Sequence, residues 1–122
     1  MSAGLPPTDR YRYADVVRDH LYLAGQVPID AQGTMPGGVV DQVRQCLNNL
    51  QRLVSVRGFA LDDVHHVTVY VAGDHALLLE AWDTVAEWFE GNVPPATLLG
   101  IAGLGHSGQL VEIDAVIERK ES

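Results

Sequence analysis

Apolar positions along the chain fall into two rhythms. Val43, Leu47, Leu50 and Val54 are spaced i, i+4, i+7 and i+11 within Val39–Arg57, the stripe of a helix with one buried face. Gly58 follows where a left-handed C-terminal cap belongs. A second stripe, Leu78, Trp82, Val85 and Phe89, comes after Asp74, whose short carboxylate suits an N-cap. Gly91–Pro95 (GNVPP) breaks that helix. The other segments alternate or are β-branched. Tyr11–Arg18 and His20–Val27, joined at Asp19, predict a hairpin, and Val64–Val71 (VHHVTVYV) predicts a strand. Pro28–Gly38 holds two Pro and three Gly and predicts a loop. Ala96–Ala102 and Gln109–Glu118 predict two closing strands with a Gly-rich turn between them.

The order β-β-α-β-α-β-β has no repeats or linkers and predicts one α+β domain over residues 1–122, with residues 1–10 a loosely ordered leader. The simplest packing is a mixed sheet with both helices on one face. In the last strand Val111, Ile113, Ala115 and Ile117 belong under the helices, while Leu110, Glu112, Asp114 and Val116 point the other way. That second set is half apolar and half acidic, too apolar to be simply wet. It predicts self-association through the bare sheet face.

Composition narrows the function. At 122 residues and 47% hydrophobic, the chain supports one core without staples. Eight Lys and Arg against sixteen Asp and Glu give a net charge of -8, and the cations are scattered, so a primary nucleic-acid role is disfavoured. The single cysteine, Cys46, excludes an intrachain disulfide. No basic-then-apolar signal and no run of about 20 apolar residues is present, so the expected setting is cytoplasmic, without a membrane partner.

Several motifs invite chemistry. Gly103–Gly108 (GLGHSG) fits G-x-G-x-x-G, but it runs into a strand pattern instead of a helix, so a Gly-rich turn is the better reading than a nucleotide site. His65 and His66 are adjacent on a strand and face opposite ways, and no metal-binding spacing occurs among the five histidines, so no metal is expected. His106 stands apart, because it lies in the Gly-rich turn and can swing toward a pocket. Cys46 borders an apolar stripe and suits packing better than reactivity. Glu112 and Asp114 share a strand face about 7 Å apart. On a face buried by a partner such carboxylates need pairing or a task, for instance placing a water or moving a proton.

These pieces together resemble the Rid (YjgF-type) family of reactive-imine deaminases. The resemblance is carried by Ala24-Gly25-Gln26-Val27-Pro28 before Gly37-Gly38, by the segment Asp41–Leu50 (DQVRQCLNNL), by Ala60–Val64 (ALDDV) leading into Val67–Tyr70 (VTVY), and by Leu110–Ala115 (LVEIDA). It runs from about Tyr11 to Ile117. It implies a chorismate-mutase-like fold, a homotrimer with clefts between subunits, and hydrolysis of imines or enamines to a carbonyl compound and ammonia with no cofactor. Tyr11 falls at the family's tyrosine, Gly25 at its pocket glycine and Glu112 at its water-positioning glutamate. Thr97, fifteen residues before Glu112, stands where the family carries an arginine that clamps the substrate carboxylate, and Leu99 where many members carry cysteine. A threonine hydroxyl supplies neither the charge nor the bidentate geometry of that arginine. The expected reaction is therefore hydrolysis or tautomerisation of a small neutral imine, enamine or related carbonyl intermediate, with water placed by Glu112 and the substrate contacted by Tyr11, Gly25, Thr97, Leu99 and His106. The alternatives are a trimeric module that binds a small ligand or a protein without catalysis, and a classical imino-acid deaminase of low activity.

Overall fold

The computed structural model describes residues 11–120; the leader expected over residues 1–10 lies outside them. The chain forms strands β1 (Ala14–Val17) and β2 (His20–Leu23), helix α1 (Val39–Val56), strand β3 (Val64–Val71), helix α2 (His75–Trp88), and strands β4 (Ala96–Gly100) and β5 (Val111–Glu118). The expected order is thus the observed one. A short 3-10 turn at Leu61–Asp63 precedes β3. The strands make one sheet in the order β1-β2-β5-β3-β4, with β3 and β4 parallel and the other pairs antiparallel.

Both helix ends follow the residues that announce them. Gly58 has φ 80°, and the N–H groups of Gly58 and Phe59 bond back to Ser55 and Val54 at 3.1 and 2.8 Å. Asp74 Oδ1 accepts from Leu77 N at 3.0 Å, closing the open first turn of α2. The inner face of α1, including Val43, Leu47, Leu50 and Val54, packs against Val67, Val69, Val71, Val111, Ile113 and Ile117, all buried. Each such side chain contributes about 1.5–3 kcal/mol through removal from water. On α2 the fully buried positions are Ala81 and Val85, with Leu78, Trp82 and Phe89 packed partly against the core.

Two segments differ from expectation. The second hairpin strand ends at Leu23 instead of Val27, because the ladder with β1 stops there and contact with β5 resumes only as an isolated pair at Gln26. Ala24 N still donates to Tyr13 O at 2.9 Å, but Gln26 pairs with Ile113 of β5 through bonds of 2.7 and 3.0 Å. The Gly-rich segment is also no tight turn between neighbouring strands. β4 and β5 flank β3 on opposite sides, so residues 101–110 cross the end of β3 to join them.

The sheet face away from the helices is uncovered in the single chain. It presents Glu112, Asp114 and Val116 of β5, beside Tyr70, Thr68 and His66 of β3 in the same cross-strand register. Thr97 and Leu99 of β4 extend the rows through Thr68 and Tyr70. Tyr22, Val116 and Leu99 on this face are exposed.

Candidate functional site

The site is built where the chain leaves β2 and where the Gly-rich connection enters β5. Glu112, the second residue of β5, projects onto the open face next to the Ala24–Gln26 bend. Its side chain lies so close to Gly25 that a Cβ there would sit 2.5 Å from Oε2 and 3.0 Å from Cδ. A side chain at position 25 would therefore press on the Glu112 carboxylate, while the backbone conformation itself does not call for glycine. Around the pair is a cleft of about 290 Å³ lined by Tyr11, Ala24, Gly25, Val27, Gly105, His106, Gln109 and Glu112.

Four of the expected site residues, Tyr11, Gly25, His106 and Glu112, thus meet in one cleft. Thr97 and Leu99 do not line it within the single chain. They lie on the edge strand β4, with β3 between them and β5. Thr97 Oγ1 is 3.3 Å from His66 Nε2. No lysine or arginine lines the cleft among the described residues. A larger cavity of about 690 Å³ lies at the opposite end of β3, walled by Trp88, Phe89, Val93, Pro94 and Pro95. Its walls also carry Gln51, Asp62, His65, Glu90, Asn92 and Lys120, but none of the expected site residues, and its His65 ring is engaged by the Glu118 carbonyl at 2.7 Å. Volume alone does not locate the chemistry here.

Helix α1 holds the cleft from behind through polar groups on its inner face. Gln42 Nε2 donates to the carbonyls of Pro36 and Gly108 at 2.9 and 3.0 Å, and its Oε1 accepts from Leu110 N at 2.7 Å. Cys46 Sγ donates to Gln26 O at 3.2 Å. Asn49 Nδ2 donates to the carbonyls of Val27 and Ile29 at 3.1 and 3.0 Å. All three residues are buried, and together they fix both backbone walls of the cleft. Gln26, Gln42, Asn49 and Gln109 support the cleft, a role the sequence reading assigned to none of them, although Gln26, Gln42 and Asn49 lie in segments that carry the resemblance. The available signal was the i, i+4, i+7 spacing of Gln42, Cys46 and Asn49, which places polar groups inside an apolar stripe.

Electrostatics separates the cleft's front from its back. Burial pushes the Cys46 thiol well up, the Glu112 charge pushes it further, and only the Ile113 backbone hydrogen bond opposes them. Cys46 is therefore a neutral packing group. Burial and then the neighbouring Tyr11 raise the Tyr13 phenol, whose ring stands edge-on to Tyr11 at 6.0 Å. Among the described residues no cluster of three or more His, Cys, Asp or Glu could hold a metal ion. No helix among them is long and apolar enough to cross a membrane.

A mixed five-stranded sheet with two helices on one face, and a carboxylate set against a glycine at the mouth of β5, defines a small α+β domain of the chorismate-mutase-like type. The chain belongs to the family described as Endoribonuclease L-PSP, whose model matches residues 1–119, and this is the Rid (YjgF-type) family. A RutC family protein of Pyrococcus horikoshii is 32% identical over 114 residues, covering 90% of this chain and 87% of the relative. A mouse protein named 2-iminobutanoate/2-iminopropanoate deaminase is 32% identical over 110 residues, covering 87% and 78%. Among solved structures, Escherichia coli TdcF with bound serine superposes with a TM-score of 0.81 at 23% identity, covering 98% of this chain and 97% of that one. RidA from an Antarctic Psychrobacter gives 0.86 at 21% identity, covering 98% and 97%. At those identities the likeness is one of fold.

Proposed function

We propose that the protein hydrolyses a small neutral imine or enamine, or a related carbonyl intermediate, in clefts that a homotrimer completes, with Glu112 placing the attacking water. The observation that carries this reading is the Glu112 carboxylate wedged against Gly25 in a cleft with no lysine or arginine on its walls among the described residues. A carboxylate in that position suits acceptance of a proton from water. The same carboxylate, with no lysine or arginine beside it among the described residues, favours an anionic substrate less than a cleft with an arginine clamp would, so a neutral one fits better. The names of the mammalian relatives as 2-iminobutanoate/2-iminopropanoate deaminases support the reaction class. The uncovered sheet face, with exposed Tyr22, Val116 and Leu99, supports self-association. Across such an interface Thr97 and Leu99 of one subunit can line the cleft of another.

Ribonuclease activity, which the family description suggests, is not favoured. The chain carries a net charge of -8, and the described residues that line the cleft include no lysine or arginine to meet a phosphodiester.

The test is imine hydrolysis with the imine generated in situ, by an amino-acid oxidase for 2-iminopropanoate and by an amine oxidase for neutral imines, and semicarbazide trapping what remains free. Both 2-iminopropanoate and imines released from neutral amines are offered to wild type, Glu112→Gln and Thr97→Arg. The expected result is faster loss of the neutral imine with wild type, at least about 100-fold slower with Glu112→Gln. Thr97→Arg should shift preference toward 2-iminopropanoate. Equal rates for wild type and Glu112→Gln overturn the role of Glu112. Ligand binding without turnover of any imine overturns the enzymatic reading in favour of a binding module. Size-exclusion chromatography with light scattering tests the trimer directly.

A further inference from the structure

Gln109 is 4% exposed, and both ends of its amide are engaged. Its Nε2 donates to the Val111 carbonyl at 3.0 Å, which fixes the orientation of the amide because a carbonyl only accepts. Oε1 therefore faces His106, 3.2 Å from the backbone N and 3.1 Å from ring Nδ1. An amide oxygen also only accepts, so Nδ1 must carry a proton. The neutral His106 ring is then the Nδ1–H tautomer, and Nε2 is the nitrogen that gains and loses a proton. His106 lines the same cleft as Glu112.

We propose that Gln109 is a positioning residue that holds His106 as the proton-exchanging partner of Glu112, so that the two act as an acid–base pair. This rests on the imine-hydrolysis reading above. In the addition step the water oxygen bonds to the imine carbon, one water proton passes to the Glu112 carboxylate, and the His106 imidazolium gives its Nε2 proton to the imine nitrogen. The product is a neutral carbinolamine. In the collapse step the protonated Glu112 returns its proton to that nitrogen, the carbon–nitrogen bond breaks to release ammonia, and the hydroxyl proton passes to Nε2. Carbonyl product, ammonia, carboxylate and imidazolium result, and both side chains are back in their starting states.

Among the described residues Tyr11, from the segment before β1, also lines the cleft, and Tyr70 of β3 stands opposite Glu112 in the cross-strand register, with Asp114 two residues further along β5; the Ala24–Val27 bend brings no titratable group, and Cys46 lies behind Gln26. The alternative role for Gln109 is purely to shape the turn, and the test separates the two.

Nitrogen-15 NMR of the histidine rings in the whole protein reads the tautomer without reference to activity. The expected signature is Nδ1–H for His106 in wild type, reverting toward Nε2–H in Gln109→Met. In parallel, kcat/KM is followed against pH for wild type, His106→Gln and Gln109→Met on whichever probe imine wild type hydrolyses. His106→Gln should lose about 100-fold or more and the limb on which rate falls as imidazolium deprotonates. Gln109→Met should lower kcat about 10-fold with KM little changed. An Nε2–H tautomer in wild type, or His106→Gln with the wild-type rate and pH profile, overturns this proposal and leaves the deaminase reading standing. A wild type that hydrolyses no imine overturns both.

Discussion

A single methyl group added at Gly25 tests the central geometric claim, that the glycine exists to seat the Glu112 carboxylate. In Gly25→Ala the new Cβ would lie 2.5 Å from Oε2, 3.0 Å from Cδ and 3.3 Å from Cγ of Glu112. Ordinary contact distances require the carboxylate to retreat by about 1 Å. Gly25 is not among the glycines with positive φ, so alanine is compatible with its backbone. Restricting the unfolded chain then stabilises by about 0.4–1 kcal/mol, and a Glu112 side chain pushed off its rotamer costs about 0.5–1.5 kcal/mol. The two nearly cancel, so the melting temperature should move by no more than about 5 °C. Activity has no such compensation. A displacement of about 1 Å in a group that places a reactant costs roughly 100-fold, or about 2.7 kcal/mol of barrier. The assay pairs differential scanning fluorimetry with semicarbazide-trapped imine hydrolysis. In a Glu112→Ala background, Gly25→Ala should cause no further loss of activity and a small gain in stability. A Gly25→Ala protein with wild-type kcat/KM would refute the reasoning. So would one that melts more than about 10 °C lower, because the glycine would then be a folding requirement.

Three further outcomes follow from other contacts. Asp74→Ala removes the acceptor for Leu77 N and should cost about 1 kcal/mol in a thermal melt while leaving turnover unchanged. Gln42→Leu strands the Pro36 and Gly108 carbonyls and the Leu110 N–H; it should cost about 3–5 kcal/mol, read in urea as a lower midpoint with an unchanged slope. Cys46 has its thiol raised by burial first and the Glu112 charge second, so the unfolded chain releases that proton at lower pH than the native one. Its contribution is complete below the unfolded pKa of about 8.5 and declines as pH rises above it, by up to about 1.4 kcal/mol per pH unit. Urea titrations from pH 7 to 10 should show that decline, and Cys46→Ala should remove it.

The elements that announced themselves are those whose signal is local. A Gly after an i, i+4 stripe and an Asp before one are complete statements about helix ends, and Gly58 and Asp74 sit as such residues should. Val64–Val71 was legible because its β-branched run is bounded on both sides. The path of residues 24–28 was not, because the chain's course after it leaves β1 depends on hydrogen bonds between Gln26 and Ile113, far apart in sequence. The same holds for residues 101–110, whose glycines indicate a turn but not that it must pass over β3. In the site, Tyr11, Gly25, His106 and Glu112 were named from pattern and resemblance. Gln109 was invisible, since a glutamine's importance lies wholly in what its two ends touch.

The polar stripe of α1 separates two properties that are often entangled. Gln42, Cys46 and Asn49 grip main-chain carbonyls and an N–H of the cleft walls, and they approach from the side opposite the reactants. The course of the walls is therefore indifferent to which side chains those walls carry outward. A residue such as His106 can be exchanged for another without the backbone losing its anchorage. The same three grips therefore leave one backbone architecture open to refitting, one outward-facing position at a time.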